Sequence, residues 1–230
     1  MTILGVAVEV ERKAIKNTHL SVYPPDGRVH ISVPRELSDH DIRSFVISHI
    51  DWVRRERKNK RAQLRQTRRE YVSGESIYCL GKRYRLSVVS EDAQATERIA
   101  WGGTKLQLFV RETSSRDHRL RIVESWQKEM LKALVQRLME KWCTRLKVEI
   151  PSWQIKRMRS RWGSCNRTKR AVSLNFALSR VPVKCVEYVV VHELTHLEVA
   201  NHGKDFQALL SSRLPRNKDL RNELNSFVSL

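Results

Sequence analysis

The stretch VVVHELTHLEVANHGKDF, residues 189–206, decides how the rest of the chain is read. An apolar helical run, VEYVVV (186–191), leads into it and is then interrupted by His192, Glu193 and His196. Residues four apart share a helix face, so the two imidazoles aim at one point. Zinc accepts imidazole nitrogen at ~2.0–2.1 Å, and two such ligands make half a tetrahedron. Glu193 is displaced by ~100° around the helix, beside that point rather than on it, where a carboxylate takes a proton from water. His202 lies six residues beyond His196, too far to share a straight helical face. Asn201 and Gly203 both tolerate a left-handed turn that swings His202 back as third ligand. A downstream carboxylate, Asp205 or Glu223, is the alternative. Burying two histidines and a glutamate among valines is costly unless something pairs them.

Working outward, Pro182 suits the first turn of a helix running over about 182–200. A shorter helix, GKDFQALLSSRL, follows, and a last one starts near 217. Upstream, WQIKRM and AVSLNFAL read as strands after Pro151. The first half alternates in the manner of strands: VAVEVER, HLSVYPPDGRVHISVP with a Pro-Pro-Asp-Gly turn, GESIYCLGKRYRLSVVS, and ERIAWGGTKLQLFVRE. One helix interrupts it, LSDHDIRSFVISHIDWVRRERKNKRAQLRQ, with Ser38 or Asp39 as N-cap and Ile42, Phe45, Val46, Ile50 and Val53 on one face. A long helix begins after Thr113–Asp117, with Ile122, Trp126, Met130, Leu134, Leu138 and Trp142 recurring at helical spacing. The expected fold class is α+β, a β-rich part over 1–114 followed by a helical metal-binding core over 115–230. No internal repeat is visible.

Composition narrows the partners. A net charge of +19 favours anions. RRERKNKRAQLRQTRR (54–69) carries nine basic residues and one acid; KRMRSRWGSCNRTKR (156–170) carries seven and no acid. Both segments invite nucleic acid or an acidic partner, though a solvated helix face explains the first equally well. The four cysteines form no CxxC pair, which speaks for reduced thiols, with Cys165 the candidate for exposure. His19, His30, His40, His49 and His118 are scattered and read as surface or fold residues. No run approaches the ~20 apolar residues that span a bilayer. A cytoplasmic protein without membrane contact is expected.

The spacing of the third histidine equals that of the metzincins, but Val199 stands where their glycine does. RMRSRWGSC (157–165), SLNFAL (173–178) and EYVVVHELTHLEVANHGKDF (187–206), in that order, instead resemble the YgjP-like metal-dependent hydrolases, whose core is of metallopeptidase type and related to zincin and SprT-like domains. The resemblance is tight over about 150–215 and looser over the β-rich half. It implies one Zn²⁺ per chain on His192, His196 and His202, with Glu193 as general base. Two departures, Gly203 for a common serine and Gln207 for a common tryptophan, are expected to concern only the packing of the following helix. The helix motif favours peptide hydrolysis. The family's association with nucleoside triphosphate pyrophosphatase activity, notably toward UTP, makes a nucleotide the second candidate. Arg159 and Arg161 then offer bidentate donors to phosphate, and Asn175 faces the cleft from its strand. A nucleic-acid-associated protein with structural zinc is the third reading.

Overall fold

A computed structural model describes residues 1–23, 26–62, 69–92, 94 and 96–227. They form two compact units, Met1–Thr67 and Arg68–Leu230. The boundary expected at 114/115 therefore falls inside the second unit.

In the first unit, β1 (Thr2–Ile3), β2 (Val6–Lys13), β3 (His19–Tyr23) and β4 (Arg28–Pro34) make a sheet of order β1-β2-β4-β3. β2 and β4 run parallel; the other pairs are antiparallel. Alternation delivers Val29, Ile31 and Val33 to one face, where they meet Ile42, Val46 and Val53 in a fully closed cluster. The single helix expected after residue 38 is two, α1 (Asp39–Ser48) and α2 (Ile50–Ala62). Ser38 caps α1 by accepting from the Asp41 amide at 3.1 Å. His49 ends it: its backbone N–H returns to Val46 and Ile47, and its Nδ1 lies 2.8 Å from the Phe45 carbonyl. Of the basic run, Arg57 is half-buried and donates to the Gly27 carbonyl at 3.2 Å. Residues 63–68 lie outside the described residues, and so does the anion-binding expectation placed on them.

The second unit opens with the same arrangement. β5 (Ser76–Cys79), β6 (Lys82–Glu91), β7 (Arg98–Gly102) and β8 (Lys105–Arg111) take the order β5-β6-β8-β7, again with a parallel central pair and antiparallel neighbours. Each sheet is followed by a serine-capped helix, Ser38 in one case and Ser115 in the other. The topology repeats although the sequence shows no repeat. Hairpins and apolar alternation specify it, and many residue choices satisfy both.

The helix after the second sheet, α3 (Arg116–Leu146), has 31 residues, about 46 Å at the α-helical rise. Its first half buries Val123 and Trp126 against Ile77, Leu86, Leu106 and Leu108 of the sheet. Its second half buries Leu131, Val135, Met139 and Trp142 in a separate cluster with the C-terminal elements. One helix thus packs against both the sheet and the C-terminal core, inside a single compact unit. The β5–β6 turn adds a second tie. The Leu80 amide donates to the Ser179 carbonyl at 2.7 Å, and Gly81, at φ +78°, is so close to Pro182 that a Cβ would lie 2.7 Å from its Cα. Gly81→Ala is expected to destabilise the protein by more than about 1 kcal/mol, combining left-handed strain with the clash. An unchanged urea midpoint would refute that close packing.

The C-terminal core contains β9 (Ser152–Lys156), β10 (Gly163–Asn166) and β11 (Ala171–Asn175) in the order β10-β11-β9, then α4 (Val183–His196), α5 (Lys204–Arg213) and α6 (Asn217–Ser226). Two expectations change here. The strand read over AVSLNFAL stops at Asn175, whose Oδ1 accepts from the Ala177 amide at 3.1 Å and starts a 3-10 turn over Phe176–Arg180. α4 ends at His196, not near 200. No helix among the described residues is long and apolar enough to cross a membrane.

Candidate metal centre and cleft

α4 is buried through Val186, Val189, Val190, Val191 and Leu194. This fixes its rotation and leaves His192 and His196, one turn apart, on its other face. After His196 the chain turns through 197–203 and enters α5, so that His202 comes back over the helix. Its Nε2 lies 3.0 Å from Nε2 of His192 and 3.1 Å from Nε2 of His196. Ligands at ~2.0–2.1 Å from a tetrahedral zinc stand about 3.3–3.4 Å apart, so these spacings are close to the edges of such a polyhedron. Among the described residues the three imidazoles are the one cluster with metal-binding geometry. Glu223 instead pairs with Lys184 at 2.8 Å, and Asp205 is outside the cluster.

The turn is made without left-handed backbone at the residues expected to supply it. Gly203 has φ −67°, and Asn201 is not among the positive-φ residues. Arg213 holds the turn from the side: it pairs with Glu198 and donates to the Thr195 hydroxyl at 2.9 Å, joining α5 to the end of α4. Nothing in the sequence around Arg213 marks it for this role.

The electrostatics suit a cation. His196 Nδ1 lies 3.1 Å from the Val199 carbonyl; a proton there leaves Nε2 as a free lone pair. His192 Nδ1 is buried without a hydrogen-bond partner. Burial, reinforced by His196, His202 and Arg221, pushes His192 down to about 4, and burial likewise lowers His202. Both rings are therefore neutral near pH 7, the form that ligates metal. Beneath them Phe206, fully buried, has its ring centroid 4.9, 4.6 and 4.8 Å from those of His192, His196 and His202. Phe206→Ala removes the floor of the triad and is expected to cost about 3–5 kcal/mol, read as a lower urea midpoint. A loss under about 1 kcal/mol would mean the site closes over the gap.

Glu193 is 5% exposed, and burial pushes its carboxyl up to about 7, with Arg161 pulling the other way. It rests against Gly163: a Cβ there would lie 2.6 Å from Oε1. α4 packs beside β10, and the absence of a side chain at 163 is what admits the carboxylate between them.

The triad and Glu193 open into a cleft of about 1460 Å³. One wall comes from Ser160–Cys165 and Arg167, the other from α6 through Asn217, Lys218, Arg221 and Asn225. Arg161 lines the cleft. Arg159 is exposed and outside the lining. Asn175 is also outside it: its amide donates to the carbonyls of Met158 at 2.9 Å and Arg161 at 2.7 Å, and its Oδ1 accepts from the Met158 amide at 3.3 Å. Rather than meeting a substrate, Asn175 clasps the loop that presents Arg161. Gln207 does line the cleft, so that departure bears on the substrate space and not on helix packing alone. At Gly203, a Cβ would meet nothing within 4 Å, and serine would fit. Cys165 is half-buried in the cleft wall, its thiol raised by burial and by Glu193.

β10 was not foreseen. Its only strand partner among the described residues is β11. Asn175 N–H donates to the Trp162 carbonyl at 2.8 Å, and the register pairs Ser164 with Ser173. By antiparallel alternation, Gly163 and Cys165 direct their N–H and C=O groups away from β11, along the free edge that lines the cleft.

A family model described as "YgjP-like, metallopeptidase domain" matches residues 16–227. The chain belongs to that family. The match extends the resemblance, tight only over 150–215, to nearly the whole sequence. Being a YgjP-like metallopeptidase domain implies hydrolase chemistry and a metal ion, and the histidine triad supplies a fitting donor set. Among solved structures, the metallopeptidase zymogen of Methanocaldococcus jannaschii jannalysin is similar at 20% identity and a TM-score of 0.35, over 42% of this chain and 94% of that one. Comparison with curated proteins gives no match.

Proposed function

We propose that this YgjP-like protein is a zinc-dependent peptidase, with His192, His196 and His202 holding one Zn²⁺ and Glu193 acting as general base. The observation that carries the reading is the placement of the buried Glu193 carboxylate beside three convergent imidazoles and next to the free edge of β10. An extended peptide adds to a strand edge through backbone hydrogen bonds, and Gly163 and Cys165 offer both donor and acceptor there. A cation bound at the triad supplies Lewis acidity, making water more acidic and a carbonyl more electrophilic. Glu193 takes the proton of the attacking water and returns it to the leaving nitrogen. Burial against Gly163 fixes the carboxylate where it can make both transfers. α4 and Phe206 hold the imidazoles, and Gly163 keeps Glu193 within reach. Four free thiols among the described residues support a cytoplasmic setting.

Elemental analysis of the purified protein tests the metal assignment. The account expects one zinc per chain, lost in His192→Ala and His202→Ala, and peptide cleavage that chelation stops and zinc restores. Cleavage that persists in the metal-free chain would end it.

A second reading, hydrolysis of a nucleoside triphosphate, is favoured by one observation: Arg161, Arg167, Lys218 and Arg221 all line the cleft. Pyrophosphate release from UTP that disappears in Glu193→Gln would place that reading first.

A further inference from the structure

The charge of the cleft is one-sided. Four cations line it, and Glu193, buried against Gly163, is the one carboxylate among the lining residues. Arg161, Lys218 and Arg221 form no ion pair among the described residues, and Arg167 makes only a backbone contact, donating to the Glu198 carbonyl at 3.1 Å. The cations also bracket the reactive centre. Arg161 lines the wall on the β10 side, next to Glu193, and Arg221 lines the wall made by α6. Uncompensated charge of one sign in a concave, partly apolar site focuses the field and attracts the opposite sign. A basic peptide entering this cleft meets like charge with no carboxylate but the buried Glu193 to relieve it.

Resting on the peptidase reading above, we propose that the cleft selects acidic peptides, with carboxylate side chains on both sides of the scissile bond. Alternate side chains are received by Arg161 and Arg167 beside β10 and by Lys218 and Arg221 of α6. The backbone of the substrate runs along β10, so its side chains alternate between the cleft walls. Acidic residues one or two positions from the cleaved bond are the ones within reach. A nucleotide would use the same cations but would leave the β10 edge unused.

The test uses the full zinc-loaded chain and quenched fluorescent peptides identical except for flanking residues: Asp or Glu, Asn or Gln, or Lys. The expected kcat/KM is higher for acidic than for basic flanks by a factor on the order of a hundred at low salt, narrowing as ionic strength rises. In the Lys218→Gln/Arg221→Gln double variant that ratio should fall about tenfold. As a readout apart from turnover, the Glu193→Gln chain should bind the acidic peptide more tightly than the neutral one in fluorescence anisotropy. Equal cleavage of all three peptides, abolished by Glu193→Gln, would overturn the acidic preference and leave the peptidase reading standing. If no peptide is cleaved while UTP is hydrolysed, both fall.

Discussion

On the proposed zinc-peptidase reading, Glu193→Gln is expected to lower kcat for peptide cleavage by roughly 10²–10⁴-fold and to leave the zinc content at one per chain. The amide has the shape of the carboxyl, so the gap between α4 and β10 stays filled and the triad is undisturbed. What disappears is the proton acceptor. The buried carboxylate takes a proton from the attacking water and gives it back to the leaving nitrogen. Glutamine does neither. Parallel measurement of kcat and of zinc by elemental analysis separates this outcome from unfolding. A variant that keeps its zinc and retains wild-type kcat would remove Glu193 from the chemistry.

Gly163→Ala is the second large effect, expected to lower kcat/KM about a hundredfold, the usual consequence of moving a reacting group by some tenths of an ångström to 1 Å. The new methyl carbon would stand 2.6 Å from Oε1 and 2.9 Å from Cδ and Cγ of Glu193. The backbone of β10 is pinned by its pairing with β11, so the carboxylate must yield. The imidazoles lie on α4 and in the turn after it, away from the clash, and zinc content should be kept. Gly203→Ser is the control. Its Cβ has open space, and serine is the better N-cap for α5; stability unchanged or slightly raised is expected. Wild-type kinetics in Gly163→Ala would show that Glu193 reaches its position without the missing side chain.

The part of the site legible in the sequence was the part carried by one helix. His192, Glu193 and His196 follow from residues four apart on an apolar segment, and the return of His202 from its distance. The backbone route of that return was misread, because the turn is held by Arg213 from α5 and not by a left-handed residue. The cleft walls were less legible because they are tertiary. Lys218 and Arg221 reach the site from α6, a helix whose polar face resembles any solvated one. β10 is four residues long, too short for its alternation to stand out from the basic loop around it. Asn175 was placed in the correct neighbourhood with the wrong role, since only its partners, the carbonyls of Met158 and Arg161, distinguish a loop clasp from a substrate contact.

The fold divides in the same way. Alternation and turns predicted the strands of both sheets, and helical spacing predicted α3. The polar stretch at 113–117 looks like a linker in the sequence, whereas it is the capped start of α3, a helix that packs in two cores. The break at His49 escaped notice because α1 and α2 continue one apolar pattern through Ile42, Val46 and Val53.

The most direct measurement incubates the zinc-loaded protein and its Glu193→Gln variant with a proteome-derived peptide library and compares the new N-termini by mass spectrometry. The account predicts cleavages that occur with the wild type, stop on chelation, and are missing from the variant. Identical N-termini from both proteins, or none from either at full zinc occupancy, would contradict it.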